Sequence, residues 1–524
     1  MNQTAEIYRP YQAPRDHGEC LVDPPVDRSQ EMLGRNRAAA SRLPPVLADL
    51  RDEARAEMIE AATRYTRGYR DVDQSLTGPI IMAGHQPTLF HPGVWFKNVM
   101  LDSVAKRCGA AAINLVVDSD VAGPSSIRVP HLDGDGRLVQ SNVAFDQLGG
   151  GVPYEQSLIE DRDRFDVFDA HVTETLGSLV ESPAVGPLWV HAREAIRRCG
   201  FAGCALAQAR HRLEEDLGLS TLEVPQSVIC RTPAFSRFAF AILSELPRFH
   251  EAYNSSADHY RAAHGIRSRA HPVPNLGRED DWYEAPFWVY GNQSPKRKSV
   301  WVRRRGNELE LSDLENRSRR ISAEPASGPE SLHALATPEF KFRSRALVTT
   351  MFARLILSDL FLHGIGGGKY DQLGDLISRD FWGLTSVPEF VVTSATVRLP
   401  GHERLLETDL KTKLRSLRNR LREMTFHPEC FPLDGDRLEA KVAEKQALLE
   451  RIPAKRSRFQ WHQEITRLNE ELSANLEPLR RETESQIQSI LNRMPEAALW
   501  ASRDHSFSVY PLDYLTSEFA RMAK

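Results

Sequence analysis

The chain has 524 residues, of which 41% are hydrophobic, and its formal net charge at pH 7 is −4. This length and composition allow a large buried core with one or two further modules. The nearly balanced charge excludes a general electrostatic attraction to nucleic acid, and no apolar run is long enough to cross a bilayer. The opening sequence, MNQTAEIYRPYQAP, lacks the basic and apolar regions of a signal peptide, so we expect a cytoplasmic protein without membrane or nucleic-acid partners.

The first 77 residues are predicted to form an N-terminal extension of the core. A Pro-rich start is followed by a helical pattern over 45–65, in which apolar residues recur on one face. We expect this helix to begin at Pro45 and to pack against the core. The apolar residues of this face are Leu47, Leu50, Ala54, Met58 and Ala61.

A short β-branched run at 80–83 predicts a buried parallel strand that ends at Gly84. A polar loop follows, and Pro92 suits the first turn of a helix over 92–107. The free backbone N–H groups of a helix N-terminus attract anions, so we predict an anionic ligand at this loop. The binding residues predicted here are Gly84, Gln86, Thr88 and Lys97, and the catalytic residues are His85 and His91.

The predicted helix leads into a second apolar run at 110–117, which fits the spacing of one right-handed βαβ crossover. Asp118 and Asp120 follow at the carboxyl end of this second strand. Open α/β sheets bind ligands at that end, so we predict that both carboxylates are functional. The alternative is that they cap an ordinary turn, for which the same residue types are favoured.

Residues 136–335 are predicted to form an inserted α+β module. It contains helical patterns and a β-hairpin over 298–311 that turns at Gly306 and Asn307. Its aromatic run at 282–290 is interpreted as core packing in preference to a stacking pocket.

Six cysteines are scattered along the chain and do not predict a disulfide framework. Cys199 and Cys204 are close in sequence, but no second pair or histidine cluster accompanies them at zinc-site spacing. We therefore expect reduced thiols and no metal ion. The other four cysteines are Cys20, Cys108, Cys230 and Cys430.

Core-like sequence resumes over 336–400. An apolar pattern over 343–362 predicts a helix that leads into HGIGGGKYDQL and then into a strand-like run, VPEFVVTSATVRL. Consecutive glycines expose backbone N–H groups that can hold an anion, and Lys369 adds a positive charge that suits catalysis. The segment lacks the Ser or Thr that follows the lysine of a P-loop, and a plain helix C-cap followed by a turn is the alternative. The binding residues predicted here are His363, Gly364, Gly366, Gly367, Gly368, Tyr370 and Asp371.

Beyond residue 400 the apolar spacing changes to that of long helices. Leucine and isoleucine recur every three or four residues over 410–421 and again over 465–479. We predict an antiparallel helical hairpin, or coiled coil, over 401–495 that docks on the core or pairs two subunits as a homodimer. The aromatic tail over 496–524 is predicted to pack back onto the core.

These elements together predict the α/β class, with a Rossmann-like parallel-sheet core over 78–135 and 336–400. The order of the motifs GHQPTLFHPG, DSD and HGIGGGKYDQL resembles the bacillithiol-biosynthesis cysteine ligase family. In that family a GQQ-type loop follows the first strand of a Rossmann-like core, an acidic motif follows a later strand, and a GGPxE-type loop precedes a Tyr-containing helix. A C-terminal coiled coil forms its dimer. The resemblance covers 78–133 and 343–399, and the helical hairpin matches in kind only.

The resemblance assigns residues of this chain to all three motifs. In the first motif His85 replaces a Gln, the acidic motif lacks its His, and Lys369 and Asp371 depart from the pattern of the third. Because of these departures the substrate stays open. The assigned residues are Gly84, His85, Gln86, Leu89 and Phe90 for the first motif, Asp118 and Asp120 for the second, and Gly366, Gly367 and Tyr370 for the third.

The resemblance implies condensation of cysteine with an amino-sugar conjugate, which is a carbon–nitrogen ligation. Making an amide from a carboxylate requires activation through an adenylate or an acyl phosphate, so ATP is the candidate cofactor, although no residue identifies it. In this scheme His85 and His91 stabilise charge or exchange protons. Asp118 or Asp120 positions an amine or a ribose hydroxyl, and Lys369 neutralises the leaving group.

Two alternatives stay open. One is an adenylate-forming or nucleotidyl-transfer enzyme with another substrate, since two imidazoles precede a helix; however, His85 and His91 are six residues apart, without an HxGH frame. The other is a non-catalytic coiled-coil scaffold. A cleft that unites His85, Asp118 and Lys369 would separate an enzyme from a scaffold.

Overall fold

The computed structural model describes residues 8–72, 78–147, 149–433, 436–454 and 458–523. Residues 1–7 and 73–77 of the predicted N-terminal extension therefore lie outside the described residues. The chain divides into two compact units. The first takes its residues from 1–131, 140–397 and 503–524, and the second from 132–139 and 398–502.

Strands and helices are numbered in chain order. The strands are β1 Cys20–Asp23, β2 Ile80–His85, β3 Ala111–Val116, β4 Ser126–Leu132, β5 Leu138–Ala144, β6 Leu222–Pro225, β7 Arg278–Glu279, β8 Trp282–Tyr290, β9 Lys298–Arg305, β10 Glu308–Ser312, β11 Ser318–Ser322, β12 Lys341–Ser344, β13 Leu360–His363 and β14 Phe390–Ala395. The α-helices are α1 Ser29–Ala40, α2 Pro45–Ala48, α3 Arg51–Arg67, α4 Pro92–Cys108, α5 Arg162–Asp166, α6 Phe168–Leu176, α7 Val185–Cys199, α8 Ala202–Asp216, α9 Gln226–Ile229, α10 Pro233–Ser244, α11 Leu246–His264, α12 Gly328–Ala334, α13 Ala346–Phe352, α14 Ile365–Trp382, α15 Glu407–Phe426, α16 Asp436–Glu450, α17 Arg458–Ser473, α18 Glu477–Ala501 and α19 Leu512–Met522.

The fold is mixed α/β and has a parallel-strand sheet, as predicted. Its strand order is β1-β14-β13-β2-β3-β6, in which five strands run parallel and β1 is an antiparallel edge. The central strand β2 is buried over 80–83, because apolar residues on both faces are covered in such a sheet. No helix within the described residues is long and apolar enough to cross a membrane.

The β2–α4–β3 crossover is confirmed. Pro92 occupies the first turn of α4, and Gly109 ends the helix in the left-handed region, with φ +58°. Strand β2 then pairs in parallel with β3, with Ile80 opposite Ala111 and His85 opposite Val116. Both polar loops after these strands therefore emerge at the same edge of the sheet.

Two predicted boundaries are wrong, because strands of the main sheet come from outside the predicted core. Strand β6 lies within the predicted insertion over 136–335, yet it pairs with β3. Strand β1 lies within the predicted N-terminal extension and pairs with β14. The single helix predicted over 45–65 is two helices, α2 and α3, because the chain turns at Asp49 and Leu50.

The prediction of a single helix over 343–362 is also wrong. The segment contains β12, α13, a π-helical turn over Ala353–Leu357 and β13. The chain leaves the helix at Ser358 and Asp359, where the Asp359 carboxylate accepts the backbone N–H of Ile80 at 2.8 Å. Pairing of β13 between β2 and β14 thus overrides the helical apolar pattern.

The glycine-rich segment is the beginning of α14 and not a loop. Gly364 is the N-cap, and the three consecutive glycines lie in the first turn. A Cβ at Gly367 would lie 2.7 Å from Nδ1 of His363, and one at Gly368 would lie 2.4 Å from Cγ2 of Val392. Close packing of the helix on β13 and β14 therefore accounts for two of the glycines.

A second sheet, which is antiparallel, is formed mostly by strands from the predicted insertion. Its order is β11-β10-β9-β8-β12, and β7 pairs with β8. The β9–β10 hairpin turns at Gly306, with φ +59°, and Asn307, which confirms that prediction. Strand β8 is the aromatic run at 282–290.

Cys199 and Cys204 form a disulfide, with their Cα atoms 6.6 Å apart. The expectation that all six thiols are reduced is therefore wrong for this pair. The bond joins the end of α7 to the beginning of α8, where the turn at Gly200 brings the two cysteines together.

Over the described residues of the second unit, four α-helices, α15 to α18, are present where two long helices were predicted. Helix α15 packs against α18 and α17, and α16 packs against α17. The leucines of the predicted stripe are largely buried: Leu410, Leu414 and Leu417 in α15, and Leu468, Leu472 and Leu476 in the later segment. Helix α18 continues to Ala501, so the C-terminal tail begins later than residue 496.

The tail over 503–523 belongs to the first unit. The ring of Phe507 lies 5.6 Å from that of Phe90 and 4.6 Å from that of Trp95. The backbone N–H of Phe507 also donates to the carbonyl oxygen of Phe90 at 2.8 Å. These contacts hold the loop after β2 against the tail.

Candidate functional site

The strand order of the parallel sheet reverses next to β2. The chain passes from β2 to β3 and β6 on one side, and later returns to β13 and β14 on the other. Open α/β sheets bind ligands at such a reversal of strand order. The loop at 86–91 follows β2 and α14 follows β13, so both segments with predicted binding residues begin at this point.

His85 lies at the end of β2. Its ring packs edge-on against Phe90, with centroids 5.1 Å apart, and its Nδ1 is 3.0 Å from the carbonyl oxygen of Gln86. Burial, with the neighbouring charge of Lys97, lowers the pKa of His85 to about 3. The imidazole is therefore neutral at neutral pH. Thr88 closes the following turn through its backbone N–H, which donates to the carbonyl oxygen of Gln86 at 2.9 Å.

His91 is the N-cap of α4. Its Nδ1 accepts the backbone N–H of Gly93 at 3.1 Å, which leaves the proton of the neutral ring on Nε2. Burial, with the nearby guanidinium of Arg503, lowers the pKa of His91 to about 4. This histidine thus has a defined structural role at the helix terminus.

Lys97 lies in the second turn of α4 and is only 1% exposed. Its ammonium group donates to the carbonyl oxygen of Gly84, at the end of β2. Burial, with the charge of Arg210, lowers the pKa of Lys97 to about 7. A lysine with this pKa is partly neutral at physiological pH, a property that recurs at catalytic sites.

Asp118 and Asp120 differ in environment. Asp118 is buried, and its carboxylate accepts the backbone N–H of Ser227 at 2.8 Å and the Ser227 hydroxyl at 2.5 Å. Burial and the nearby Glu155 carboxylate raise the pKa of Asp118 to about 7. The side chain of Asp120 is 37% exposed and lies 3.0 Å from the guanidinium of Arg297.

A direct contact joins the loops after β2 and β3. The side-chain amide of Gln86 donates to Oδ2 of Asp120 at 2.9 Å. The structure therefore brings together the first two predicted groups, with Lys97 and His85 beneath the loop and Asp120 at its exposed side.

Five further residues lie at this edge of the sheet. The sequence analysis did not predict any of them as site residues. Glu155 receives two hydrogen bonds from Arg343, at 2.8 and 3.0 Å, and one from the Tyr290 hydroxyl at 2.5 Å. Although burial raises the pKa of Glu155, Arg343 lowers it below its usual value. Ser227 and Arg297 are the other two. The aromatic run at 282–290 could have identified Tyr290 as a site residue. Glu155 lies in a segment without a recognisable sequence pattern, so the sequence could not identify it.

Arg297 is held at the rim by an aromatic side chain. Its guanidinium lies 4.8 Å from the ring centroid of Trp288, and the guanidinium of Arg345 lies 4.0 Å from the same ring. Arg297 also donates to the carbonyl oxygen of Ser119 at 3.1 Å. The antiparallel sheet thus supplies cations to the acidic end of the site.

His363 and Asp371 form part of a buried ion cluster. Nε2 of His363 lies 2.9 Å from Oδ2 of Asp371, which also lies 2.6 Å from Arg354. Burial lowers the pKa of His363, and Arg354 lowers that of Asp371 against the effect of burial. These two predicted binding residues therefore secure α14 to the sheet.

Lys369 and Tyr370 contact α11 and the segment around His271. The carbonyl oxygen of Lys369 accepts the hydroxyl of Tyr260, in α11, at 3.1 Å, and the Tyr370 ring lies 6.1 Å from that of His271. Across the described ranges, no hydrogen bond, ion pair or ring contact joins Lys369 to His85 or Asp118. The prediction that His85, Asp118 and Lys369 lie within reach of one small ligand stays a prediction.

Gly364 and Gly366 differ from the glycines that follow them. A Cβ at either position would meet no atom within 4 Å, so crowding does not explain them. They leave the N-terminus of α14 open, where backbone N–H groups lack intrahelical partners. Of the residues that the structure describes, no group of three or more His, Cys, Asp or Glu side chains is arranged to hold a metal ion.

A comparison with protein-family models gives no match for this chain, and no curated protein is significantly similar to it.

Proposed function

We propose that this protein is a carbon–nitrogen ligase that condenses cysteine with an amino-sugar conjugate, as the family resemblance implies. The hydrogen bond from Gln86 to Asp120 carries the proposal, because it unites the first and second motifs of the resemblance at one point. The third motif begins at the adjacent strand, β13, which is hydrogen-bonded to β2. The site therefore lies where open α/β sheets bind their ligands.

In the proposed reaction a neutral amine attacks a carboxyl carbon that ATP has activated as an adenylate or acyl phosphate. The carbon–nitrogen bond forms, the carbon–oxygen bond to AMP or phosphate breaks, and the amine loses a proton. Asp118 accepts the proton of that amine, since a carboxylate with a pKa of about 7 is a suitable base near neutral pH. Asp120, the more exposed carboxylate, holds the amine by a charge-assisted hydrogen bond. Ser227 holds Asp118 in place, while burial and the nearby Glu155 carboxylate keep the pKa of Asp118 raised.

Lys97 acts in this proposal by positioning the loop. Its bond to the carbonyl oxygen of Gly84 fixes the end of β2, next to His85. The neutral imidazole of His85 does not repel an amine cation, unlike a protonated one. ATP is the proposed source of carboxyl activation, and the open N-terminus of α14 at Gly364 and Gly366 is the proposed position for its phosphate groups.

We also propose the finer features of the fold that the resemblance implies. The order β14-β13-β2-β3-β6, with the first parallel strand at the centre, supports a Rossmann-like core. The buried leucines of α15 and α17 support a coiled coil within one chain. The homodimer through these helices is proposed from the resemblance alone.

The proposal is tested by product formation. The full-length chain is incubated with cysteine, ATP and an amino-sugar malate, and the amide is detected by mass spectrometry. We expect product from the wild type and a loss of about two orders of magnitude in rate for Asp120→Asn. Asp163→Asn, which makes the same change at an exposed position on α5, is the matched control and retains the rate.

A negative result has a defined meaning. If the wild type gives no product, and neither ATP nor cysteine at millimolar concentration raises its melting temperature, the ligase proposal is wrong. If Asp120→Asn and Asp163→Asn have the same rate as the wild type, the reaction takes place elsewhere in the protein.

A further inference from the structure

An arginine-lined pocket lies at the opposite edge of the parallel sheet from the candidate site. Its volume is about 370 Å³, and its charged lining residues are Arg37, Arg51, Arg55, Asp52 and Asp359. Asp359 directly precedes β13, and the Ile80 that it contacts begins β2, so the pocket is at the amino-terminal edge. The ligase reaction proposed above does not use these residues.

One buried carboxylate organises the arginines. Asp359 accepts two hydrogen bonds from Arg55, at 3.0 and 2.8 Å, one from Arg51 at 3.4 Å and one from the backbone N–H of Ile80 at 2.8 Å. Although burial opposes it, Arg55 lowers the pKa of Asp359. This carboxylate is therefore charged and fully used, and it holds two guanidinium groups at fixed positions on the wall of the pocket.

The positive charge of the pocket exceeds its negative charge. Three guanidinium groups oppose the carboxylates of Asp52 and Asp359, and Asp52 is exposed. Burial, together with the neighbouring Arg55, lowers the pKa of Arg51 against the effect of Asp359 and Asp52. An anion in the pocket would supply the missing charge.

Arg37 is the residue best placed to meet such an anion. Its side chain is 54% exposed, and its Nε lies 4.0 Å from Oδ1 of Asp359, beyond hydrogen-bond distance. Among the residues that the structure describes, its guanidinium group makes no hydrogen bond, so its donors are available. A guanidinium fork binds phosphate-like oxygens through paired hydrogen bonds.

We propose that this pocket binds a small anion that carries phosphate-like groups. Its volume lies near the lower end of the range of small-molecule sites, about 300–1,000 Å³. That size accepts an inorganic diphosphate or the phosphate end of a metabolite. The competing interpretation, an ion-pair network that only secures α1 and α3 to β13, predicts no saturable binding.

The test is a calorimetric titration of the full-length chain with inorganic diphosphate at low and at physiological ionic strength. We expect saturable binding to the wild type and an affinity weaker by about tenfold or more for Arg37→Gln, which removes one charge-assisted contact. Arg67→Gln is the matched control, because this exposed arginine lies at the other end of α3, about 18 Å from Arg55 by helix rise. Circular dichroism checks that both variants are folded.

Each other outcome overturns the proposal. If the wild type shows no saturable binding, the pocket is structural only. If Arg37→Gln binds as well as the wild type, the anion binds elsewhere, for example at the N-terminus of α14. If Arg37→Gln and Arg67→Gln weaken binding equally, the effect is general electrostatic attraction. None of these results depends on whether the chain is a ligase, because binding is measured without cysteine, ATP or an amino sugar.

Discussion

The side-chain amide of Gln86 donates a hydrogen bond to the carboxylate of Asp120 over 2.9 Å, although 34 residues separate them in sequence. The bond joins the loop after the central strand to the loop after its neighbour. Arg297, from the antiparallel sheet, contacts the other oxygen of the same carboxylate. Asp120 is thus the point at which three separate segments of the chain meet.

The role of Asp120 is predicted to be functional and not stabilising. Asp120→Ala removes an ion pair that is partly exposed, and such pairs contribute about 0–1 kcal/mol. We therefore expect the free energy of unfolding in urea to change by less than about 1 kcal/mol, while ligase activity falls about a hundredfold. A large loss of stability would show instead that the contact with Gln86 is structural.

The raised pKa of Asp118 predicts a pH-dependent stability. The folded protein binds this proton more tightly than the unfolded chain, in which the carboxyl has its ordinary pKa of 3.8, so stability is lost as pH rises towards about 7. In Asp118→Asn this loss is absent. We expect the stability of the variant relative to the wild type to increase by about 2–4 kcal/mol between about pH 4 and pH 8, measured by urea unfolding. A constant difference across this range would contradict the raised pKa.

The lowered pKa of Lys97 has the opposite dependence. The unfolded chain binds the proton more tightly, so the cost of burying the lysine is complete below about pH 7 and disappears as pH rises towards 10.5. Lys97→Met removes this cost. The quantity to compare is the free energy of unfolding of the variant minus that of the wild type. We expect this difference to be about 2–3 kcal/mol larger at about pH 6.5 than at about pH 9.5. Denaturant titrations at these two pH values measure the difference, and equal differences would refute the assignment.

The glycines at the beginning of α14 are predicted to differ in their tolerance of alanine. Gly368→Ala places a methyl group 2.4 Å from Val392 and should destabilise the protein by about 1–3 kcal/mol. Gly366→Ala meets open space and should stabilise it by about 0.5–1 kcal/mol, since alanine favours the helix. Thermal unfolding of the two variants decides the point. Equal effects would show that helix packing does not explain the glycine run.

The buried pair of Glu155 and Arg343 offers a test of charge compensation. Arg343→Met leaves Glu155 without its bidentate partner, and we expect a loss of about 3–5 kcal/mol. The double variant Glu155→Gln with Arg343→Met buries no net charge and should recover part of this loss. If the double variant is as unstable as the sum of the two single variants, the charges do not interact.

The local patterns of the sequence predicted the β2–α4–β3 unit well. Ile80 to Ala83, the helix start at Pro92 and the helix end at Gly109 depend on contacts within a few residues, and those preferences are written in the local composition. The same patterns failed over 343–362. An apolar run of that kind suits a helix or a buried strand, and pairing with β2 decided that Leu360–His363 is a strand.

The candidate site likewise contains residues that the sequence predicts and residues that only the tertiary structure reveals. By itself, the sequence determined that Gln86, Asp118 and Asp120 follow buried strands, because strand ends are recognisable from an apolar run that stops. Only the tertiary structure decided that Ser227, Glu155 and Arg297 join them. The reason is physical: these side chains come from segments far apart in the chain, and their meeting depends on strand order and helix packing, which no local preference encodes.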